Sequence, residues 1–125
     1  MASILIVDDD EDDLLLLQSI LKDDYELHVA TNGEDALKSY LHHEIDVVVT
    51  DIQMPRGDGI ELITALKGLH PEVAIVAISG QKPHKLGIAQ MAGADSILSK
   101  PLNPKMLRDA VAHALERAKE GRPGA

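Results

Sequence analysis

Five polar side chains follow short stretches whose composition suits buried strands. Asp8 and Asp9 come directly after SILIV, Asp51 after VVVT, Ser79 after VAIVAI and Lys100 after SILS. Carboxylates bind hard divalent cations, whereas a hydroxyl and an ammonium can donate to the oxygens of a phosphoryl group. If the fold brings these five side chains together, they would form a site for a metal ion and a phosphoryl group.

The three aspartates are predicted to need a cation. Carboxylates that lie close together repel one another, and this repulsion raises at least one pKa unless a positive charge separates them. The chain has no cysteine, and its six histidines show no ligand spacing, so Mg²⁺ or Mn²⁺ is favoured over zinc. The predicted ligands are Asp9 and Asp51 directly, Asp8 through a water or as a third ligand, and the backbone carbonyl of Gln53.

Lys100 and Ser79 are predicted to act on a phosphoryl group that Asp51 accepts. The metal ion and the Lys100 ammonium would neutralise the phosphoryl oxygens, and the Ser79 hydroxyl would donate to one of them. A carboxylate in such a place can act as a nucleophile and become an aspartyl phosphate. We therefore expect Asp51 to be the phosphoacceptor.

The other acidic residues of the block at 8–13 are predicted to serve a helix. Asp10 is a candidate N-cap. Glu11, Asp12 and Asp13 are expected in the first helical turn, where the helix dipole favours each negative charge by about 0.3–1 kcal/mol. For Asp12 and Asp13 we expect solvated side chains, as in most acidic runs.

These side chains need elements that carry them to one place. Buried runs predict strands at 3–7, 27–30, 45–51, 73–79 and 95–99, and helical spacing predicts helices at 13–22, 34–43, 60–69 and 82–91 and from Pro104 onward. This alternation, with right-handed crossovers, predicts an α/β fold with helices on both faces of a doubly wound, five-stranded parallel sheet. All strand C-termini then meet at one edge, where such sheets bind ligands.

Composition limits the classes of function. The 125 residues, 45% of them hydrophobic, predict one domain over 1–120 with a short tail at 121–125. The absence of cysteine excludes disulfides and thiolate metal sites, and the net charge of −9 argues against binding to nucleic acid or an anionic membrane. No signal peptide and no apolar run of about 20 residues is found, so we expect a cytoplasmic protein.

Four motifs in this order and spacing resemble the response-regulator receiver domains of two-component phosphorelays, over essentially the whole chain. The motifs are LIVDDD at 5–10, TDIQMPRGDG at 50–59, AISG at 77–80 and LSKP at 98–101. The resemblance implies a flavodoxin-like sheet with strand order 2-1-3-4-5 and a Mg²⁺-dependent phosphorylation switch. It also implies a phosphohistidine donor, on a sensor histidine kinase or a histidine phosphotransfer protein, and a downstream protein target; a homodimer is a further option.

The resemblance assigns roles that agree with those argued from the residues. Asp51 corresponds to the phosphoacceptor, Asp8 and Asp9 to the acidic pair, and Ser79 and Lys100 to the hydroxyl and the lysine. A cis peptide bond is implied before Pro101. Such a switch does not process a metabolite, so we do not expect an enzyme in that sense.

One position departs from the family pattern. Three residues before the lysine the family carries an aromatic side chain that turns inward on phosphorylation, whereas this chain has Ile97. We therefore expect phosphorylation to change the face formed by 82–91, 95–99 and the last helix more weakly, or by a different route, than in the family. Only GRPGA follows residue 120, so we expect output through a partner unless the chain is part of a longer protein.

Three other functions remain as alternatives. A phosphatase of the haloacid dehalogenase type would use Asp8 as its nucleophile, but Asp12 stands where a small hydroxyl or valine is expected, and there is no room for a substrate cap. A flavin-binding protein would need a first loop that cradles phosphate, which six carboxylates would repel. A receiver-like binding module without phosphorylation would not need this complete set of site residues.

Overall fold

The computed structural model describes residues 1–54, 59–80 and 93–120. Its strands are β1 (Ser3–Val7), β2 (Glu26–Ala30), β3 (Val47–Asp51), β4 (Ala74–Ser79) and β5 (Ser96–Ser99). The helices in this part of the chain are α1 (Glu11–Leu21), α2 (Gly33–His42), α3 (Gly59–Leu69) and α4 (Pro104–Glu120). All five predicted strands are present. The predicted helix at 82–91 and the tail at 121–125 lie outside the described residues.

The strands form one parallel sheet in the order β2-β1-β3-β4-β5. The prediction of a doubly wound, flavodoxin-like sheet is thus confirmed. Every residue of the central strands β1, β3 and β4 is buried. Uninterrupted apolar runs of Val, Ile and Leu are expected of strands that are covered on both faces.

Helices cover both faces of the sheet, and successive strand residues point to opposite sides. Ile4 and Ile6 of β1 pack in a layer with α1 and α4, whereas Leu5 and Val7 pack in a layer with α2 and α3. None of the described helices has the length and apolar character that crossing a membrane requires.

Helix α1 begins at Glu11, two residues earlier than the apolar spacing predicts. The Asp10 side chain accepts hydrogen bonds from the backbone N–H groups of Asp12 (2.8 Å) and Asp13 (3.2 Å). The predicted N-cap is therefore confirmed. The cap and the acidic first turn stabilise a helix end that carries no apolar residue before Leu14.

An ion pair joins α4 to the start of β5, at the end of the sheet opposite the strand C-termini. Arg117 pairs with Asp95 and donates to the backbone carbonyls of Glu72 and Val73, at 3.2 Å each. Asp95 also accepts from the backbone N–H of Ile75 at 2.7 Å. These contacts tie Asp95, the residue before β5, to β4 and α4, and so help to fix the position of β5 and of the lysine that follows it.

Candidate metal and phosphoryl site

The strand register places the predicted site residues side by side. Asp8 follows β1, Asp51 ends β3, Ser79 ends β4 and Lys100 follows β5. In the sheet Val7 lies opposite Thr50, Asp51 opposite Ile78, and Ser79 opposite Ser99. The C-terminal edge of the sheet therefore gathers residues that are up to 92 positions apart in the chain.

Asp8, Asp9 and Asp51 form a carboxylate cluster. One oxygen from each lies within 4.8 Å of the other two, and Asp8 and Asp51 are buried whereas Asp9 is exposed. Backbone N–H groups hold the inner pair, with Asp10 donating to Asp8 Oδ1 (3.0 Å) and Gln53 donating to Asp51 Oδ1 (2.9 Å). This oxygen-only donor set fits Mg²⁺ or Mn²⁺. The Gln53 carbonyl as a further ligand stays a prediction.

Burial makes the charge of Asp8 unfavourable. Loss of solvent is the main cause that raises the pKa of this carboxyl from 3.8 to about 6, and the neighbouring Asp51 and Asp13 charges add to it. The Asp10 N–H and the Lys100 ammonium oppose the rise without cancelling it. A divalent cation among these oxygens would remove the repulsion and favour the ionised form.

Lys100 reaches three carboxylates at once. Its Nζ donates to Asp13 Oδ2 at 2.6 Å and to Asp51 Oδ2 at 3.1 Å, and lies 3.5 Å from Asp8 Oδ2. Burial of the ammonium lowers the pKa of Lys100, but the hydrogen bonds to Asp13 and Asp51 outweigh this effect and raise it. The lysine is therefore a fixed positive charge beside Asp51. The peptide bond between Lys100 and Pro101 is cis, as predicted.

The expectation of a solvated Asp13 is wrong. Its side chain is 31% exposed and makes the shortest contact to Lys100. Asp13 lies four residues before Leu17 and eight before Leu21, both fully buried, so all three share one face of the helix. That spacing was the available signal. Asp12, on another face, is exposed as expected.

The Ser79 hydroxyl is buried without a partner among the described residues. The residue is 2% exposed, and its Oγ makes no hydrogen bond to the part of the chain that the structure describes. A buried hydroxyl left unsatisfied costs about 1–3 kcal/mol. A phosphoryl oxygen held beside Asp51 would provide the acceptor that this hydroxyl lacks.

Gly59 lets helix α3 begin directly against the end of β3. A Cβ at this position would lie 2.6 Å from Ile52 Cα and closer still to the carbonyl oxygen of Asp51. Any larger residue would have to push the helix start away from Asp51. The glycine therefore positions the candidate phosphoacceptor through the backbone.

Comparison with known proteins identifies the family. Residues 4–112 match the family model described as the response regulator receiver domain. The chemotaxis protein CheY of Halobacterium salinarum is 35% identical over 115 residues, which cover 90% of this chain and 95% of that protein. The transcriptional regulatory protein CpxR of Escherichia coli is 34% identical over 121 residues. That match covers 94% of this chain but only 51% of CpxR.

Solved structures agree with the sequence matches. A receiver domain protein from Clostridium thermocellum superposes with a TM-score of 0.91 at 28% identity, covering 96% of this chain and 98% of that one. A CheY-like receiver domain protein from Methanospirillum hungatei gives a TM-score of 0.89 at 30% identity, covering 97% and 99%. Together with the strand order and the acidic cluster, these matches show that the chain belongs to the response regulator receiver domain family of two-component signalling.

Proposed function

We propose that this chain is a phosphorylation switch in which Asp51 accepts a phosphoryl group from a phosphohistidine, in a reaction that depends on Mg²⁺. One observation carries the proposal. The buried Asp51 carboxylate lies within 4.8 Å of oxygens of Asp8 and Asp9, and 3.1 Å from Lys100 Nζ. A nucleophile, a cation site and a fixed positive charge thus meet around one carboxylate, as phosphoryl transfer requires.

The proposed transfer moves the phosphoryl group from an imidazole nitrogen of the donor to an Asp51 oxygen. An Asp51 oxygen forms a bond to phosphorus while the bond from phosphorus to the imidazole nitrogen breaks. The electron pair of the broken bond stays with the imidazole, which takes up a proton from water. Lys100 neutralises charge on the transferred group and Ser79 donates its O–H to one of its oxygens. Bound Mg²⁺ would supply further positive charge to the carboxylates and to the phosphoryl oxygens.

A small phosphodonor tests the proposal. Purified protein is incubated with acetyl phosphate, with Mg²⁺ or with EDTA, and phosphoryl incorporation is followed by intact mass and located by peptide mapping. We expect label on Asp51 with Mg²⁺ and none with EDTA. Asp51→Asn should abolish labelling without loss of fold, because the amide oxygen is a far weaker nucleophile than the carboxylate.

The matched control is Asp12→Asn, which removes the same charge from an exposed residue of the same acidic block. It should be labelled like the wild type. Wild-type labelling of the Asp51→Asn variant would refute the assignment. Label on Asp8, or rapid turnover of many phosphate esters, would favour the phosphatase alternative instead.

We further propose that the donor is a sensor histidine kinase or a histidine phosphotransfer protein, and that output passes to a downstream protein target. Family membership supports this, since response regulators work with histidine kinases. The charge of −9 supports a role without nucleic acid or membrane binding. We also propose a cytoplasmic location, no metabolite turnover and one receiver domain over 1–120. A phosphotransfer profile against the histidine kinases of the host tests the donor assignment.

A further inference from the structure

We propose that Asp13 is a positioning residue that shares the Lys100 ammonium with Asp51 and thereby restrains phosphoryl transfer to Asp51. This inference rests on the proposed function and adds a control on its rate. Asp13 comes from α1, a helix that supplies none of the groups assigned to the phosphoryl site above.

The distances show where the ammonium sits. Lys100 Nζ is 2.6 Å from Asp13 Oδ2 but 3.1 Å from Asp51 Oδ2 and 3.5 Å from Asp8 Oδ2. An ammonium has three N–H donors, and three carboxylates surround this one. The shortest of these contacts is made to the residue that takes no part in the proposed transfer.

The exposure of the partners gives the direction of the pull. The carboxylates of Asp8 and Asp51 are 1% and 5% exposed, whereas Asp13 is 31% exposed. Asp13 therefore draws the lysine toward the solvent side of the cluster and partly neutralises it. An incoming phosphoryl group meets less positive charge at Asp51 than an unpaired lysine would offer, and meets one more negative charge.

The phosphorylated site then requires a changed lysine contact. The oxygens of a phosphoryl group on Asp51 would compete with Asp13 for the same N–H donors, because a charge-assisted hydrogen bond to a phosphoryl oxygen is as strong as one to a carboxylate. The contact between Asp13 and Lys100 thus belongs to the unphosphorylated state, and part of it must be given up on phosphorylation.

The test measures the rate of phosphoryl uptake from acetyl phosphate and Mg²⁺ in four proteins: the wild type, Asp13→Asn, Asp13→Glu and Asp12→Asn. We expect Asp13→Asn to take up the phosphoryl group about three- to tenfold faster than the wild type. This is the effect expected from removing one partly exposed, charged hydrogen bond to Lys100. Asp12→Asn, which removes an equal charge one residue away, should stay within about twofold of the wild type. Asp13→Glu keeps the carboxylate and should remain slow.

Urea unfolding supplies a second measurement that does not depend on labelling. Asp13→Asn should lower the free energy of unfolding of the metal-free protein, because it removes the charged hydrogen bond to Lys100, and should lower it less with saturating Mg²⁺ and beryllofluoride, a phosphoryl mimic. A purely structural Asp13 would show the same loss in both states, and its removal could not speed uptake.

The outcomes separate this inference from the proposed function. Uptake by Asp13→Asn that is equal to or slower than that of Asp12→Asn, with Asp51 still labelled in the wild type, would overturn the role of Asp13 alone. No label on any of the four proteins would overturn the proposed function, and this inference with it.

Discussion

Asp8 is a fully buried carboxylate whose charge is disfavoured by burial and by the neighbouring charges of Asp51 and Asp13. Because its folded pKa is about 6, against 3.8 when exposed, the native state binds more protons than the unfolded chain between these values. The free energy of unfolding therefore falls as the pH rises from 3.8 to about 6. Above that range the full cost of ionising the buried Asp8 is present.

Asp8→Asn should accordingly stabilise the metal-free protein. We expect the free energy of unfolding to rise by about 1–3 kcal/mol near pH 7.5, and by less near pH 5, where the native carboxyl is largely protonated. Urea unfolding in EDTA at the two pH values measures this. The prediction would be contradicted if the variant were less stable than the wild type at the higher pH. It would also be contradicted if the increase in the free energy of unfolding were the same at both pH values.

At this scale the sequence was most informative where a residue follows a strand. Asp8, Asp51, Ser79 and Lys100 were predictable because the end of a parallel strand fixes which edge a residue occupies. Asp13 was missed, because its place depends on the rotation of α1 against the sheet, and the signal for that rotation is the spacing of Asp13 from the buried Leu17 and Leu21. The contact joins the end of β5 to α1 through the long Lys100 side chain.

Among the elements, α3 begins in close contact with the backbone at the end of β3, where Gly59 lies against Asp51 and Ile52. We expect Gly59→Ala to lower stability by at least about 2 kcal/mol, because the added Cβ would meet backbone atoms that cannot move aside easily. It should also slow labelling of Asp51, since the helix start must shift. Thermal unfolding and acetyl phosphate labelling on the same samples measure both effects.

Gly68→Ala is the matched control in the same helix. Apart from the adjacent residues and the backbone of the helix itself, no atom of the described residues lies within 4 Å of a Cβ built at Gly68, so the same added methyl group meets no neighbour among them. Replacing glycine by alanine in a helix favours it by up to about 1 kcal/mol. If both variants behaved alike, the close approach at Gly59 would not be what positions Asp51.

Strand β5 carries the departure at Ile97. Its side chain is half-buried against the layer that contains Leu5, Val7 and Ala77, and a branched aliphatic residue cannot make the swing of an aromatic ring. We expect smaller backbone amide shift changes in β5 on adding Mg²⁺ and beryllofluoride than in a relative with an aromatic residue there. Equal changes in the two proteins, recorded by NMR under matched conditions, would show that Ile97 does not weaken the coupling between the phosphoryl site and β5.

The elements themselves were largely predictable. The central strands β1, β3 and β4 were predictable because strands covered on both faces need continuous apolar sequence. The boundaries shifted where other forces act. Helix α1 starts at Glu11 because a cap and the helix dipole extend it beyond its apolar residues, and β3 starts at Val47, after Asp46 has turned its carboxylate to the backbone N–H of Ser3 at 2.8 Å.

For the whole molecule, we expect a divalent cation to stabilise the folded protein by binding to it. Binding to the native state alone stabilises it by about 1.4 kcal/mol when the free Mg²⁺ concentration is ten times the Kd. We expect the Tm to rise with MgCl₂ and to return on adding EDTA. Asp9→Asn should reduce the rise, because it removes the exposed ligand without disturbing the buried pair.

Ionic strength needs its own control, because a chain with a net charge of −9 is also stabilised by general screening. NaCl at matched ionic strength should produce a smaller rise in Tm than MgCl₂. If the two salts were equivalent, the cluster would not hold a specific cation.

The long sequence separation across the site has a consequence during synthesis. Lys100 and Asp8 are 92 positions apart, and of the five strands of the sheet the one that precedes the lysine is synthesised last. A nascent chain that has made β1 and β3 therefore carries Asp51 but not the ammonium beside it. Under the proposed function, the complete site for phosphoryl uptake exists only after translation has passed β5.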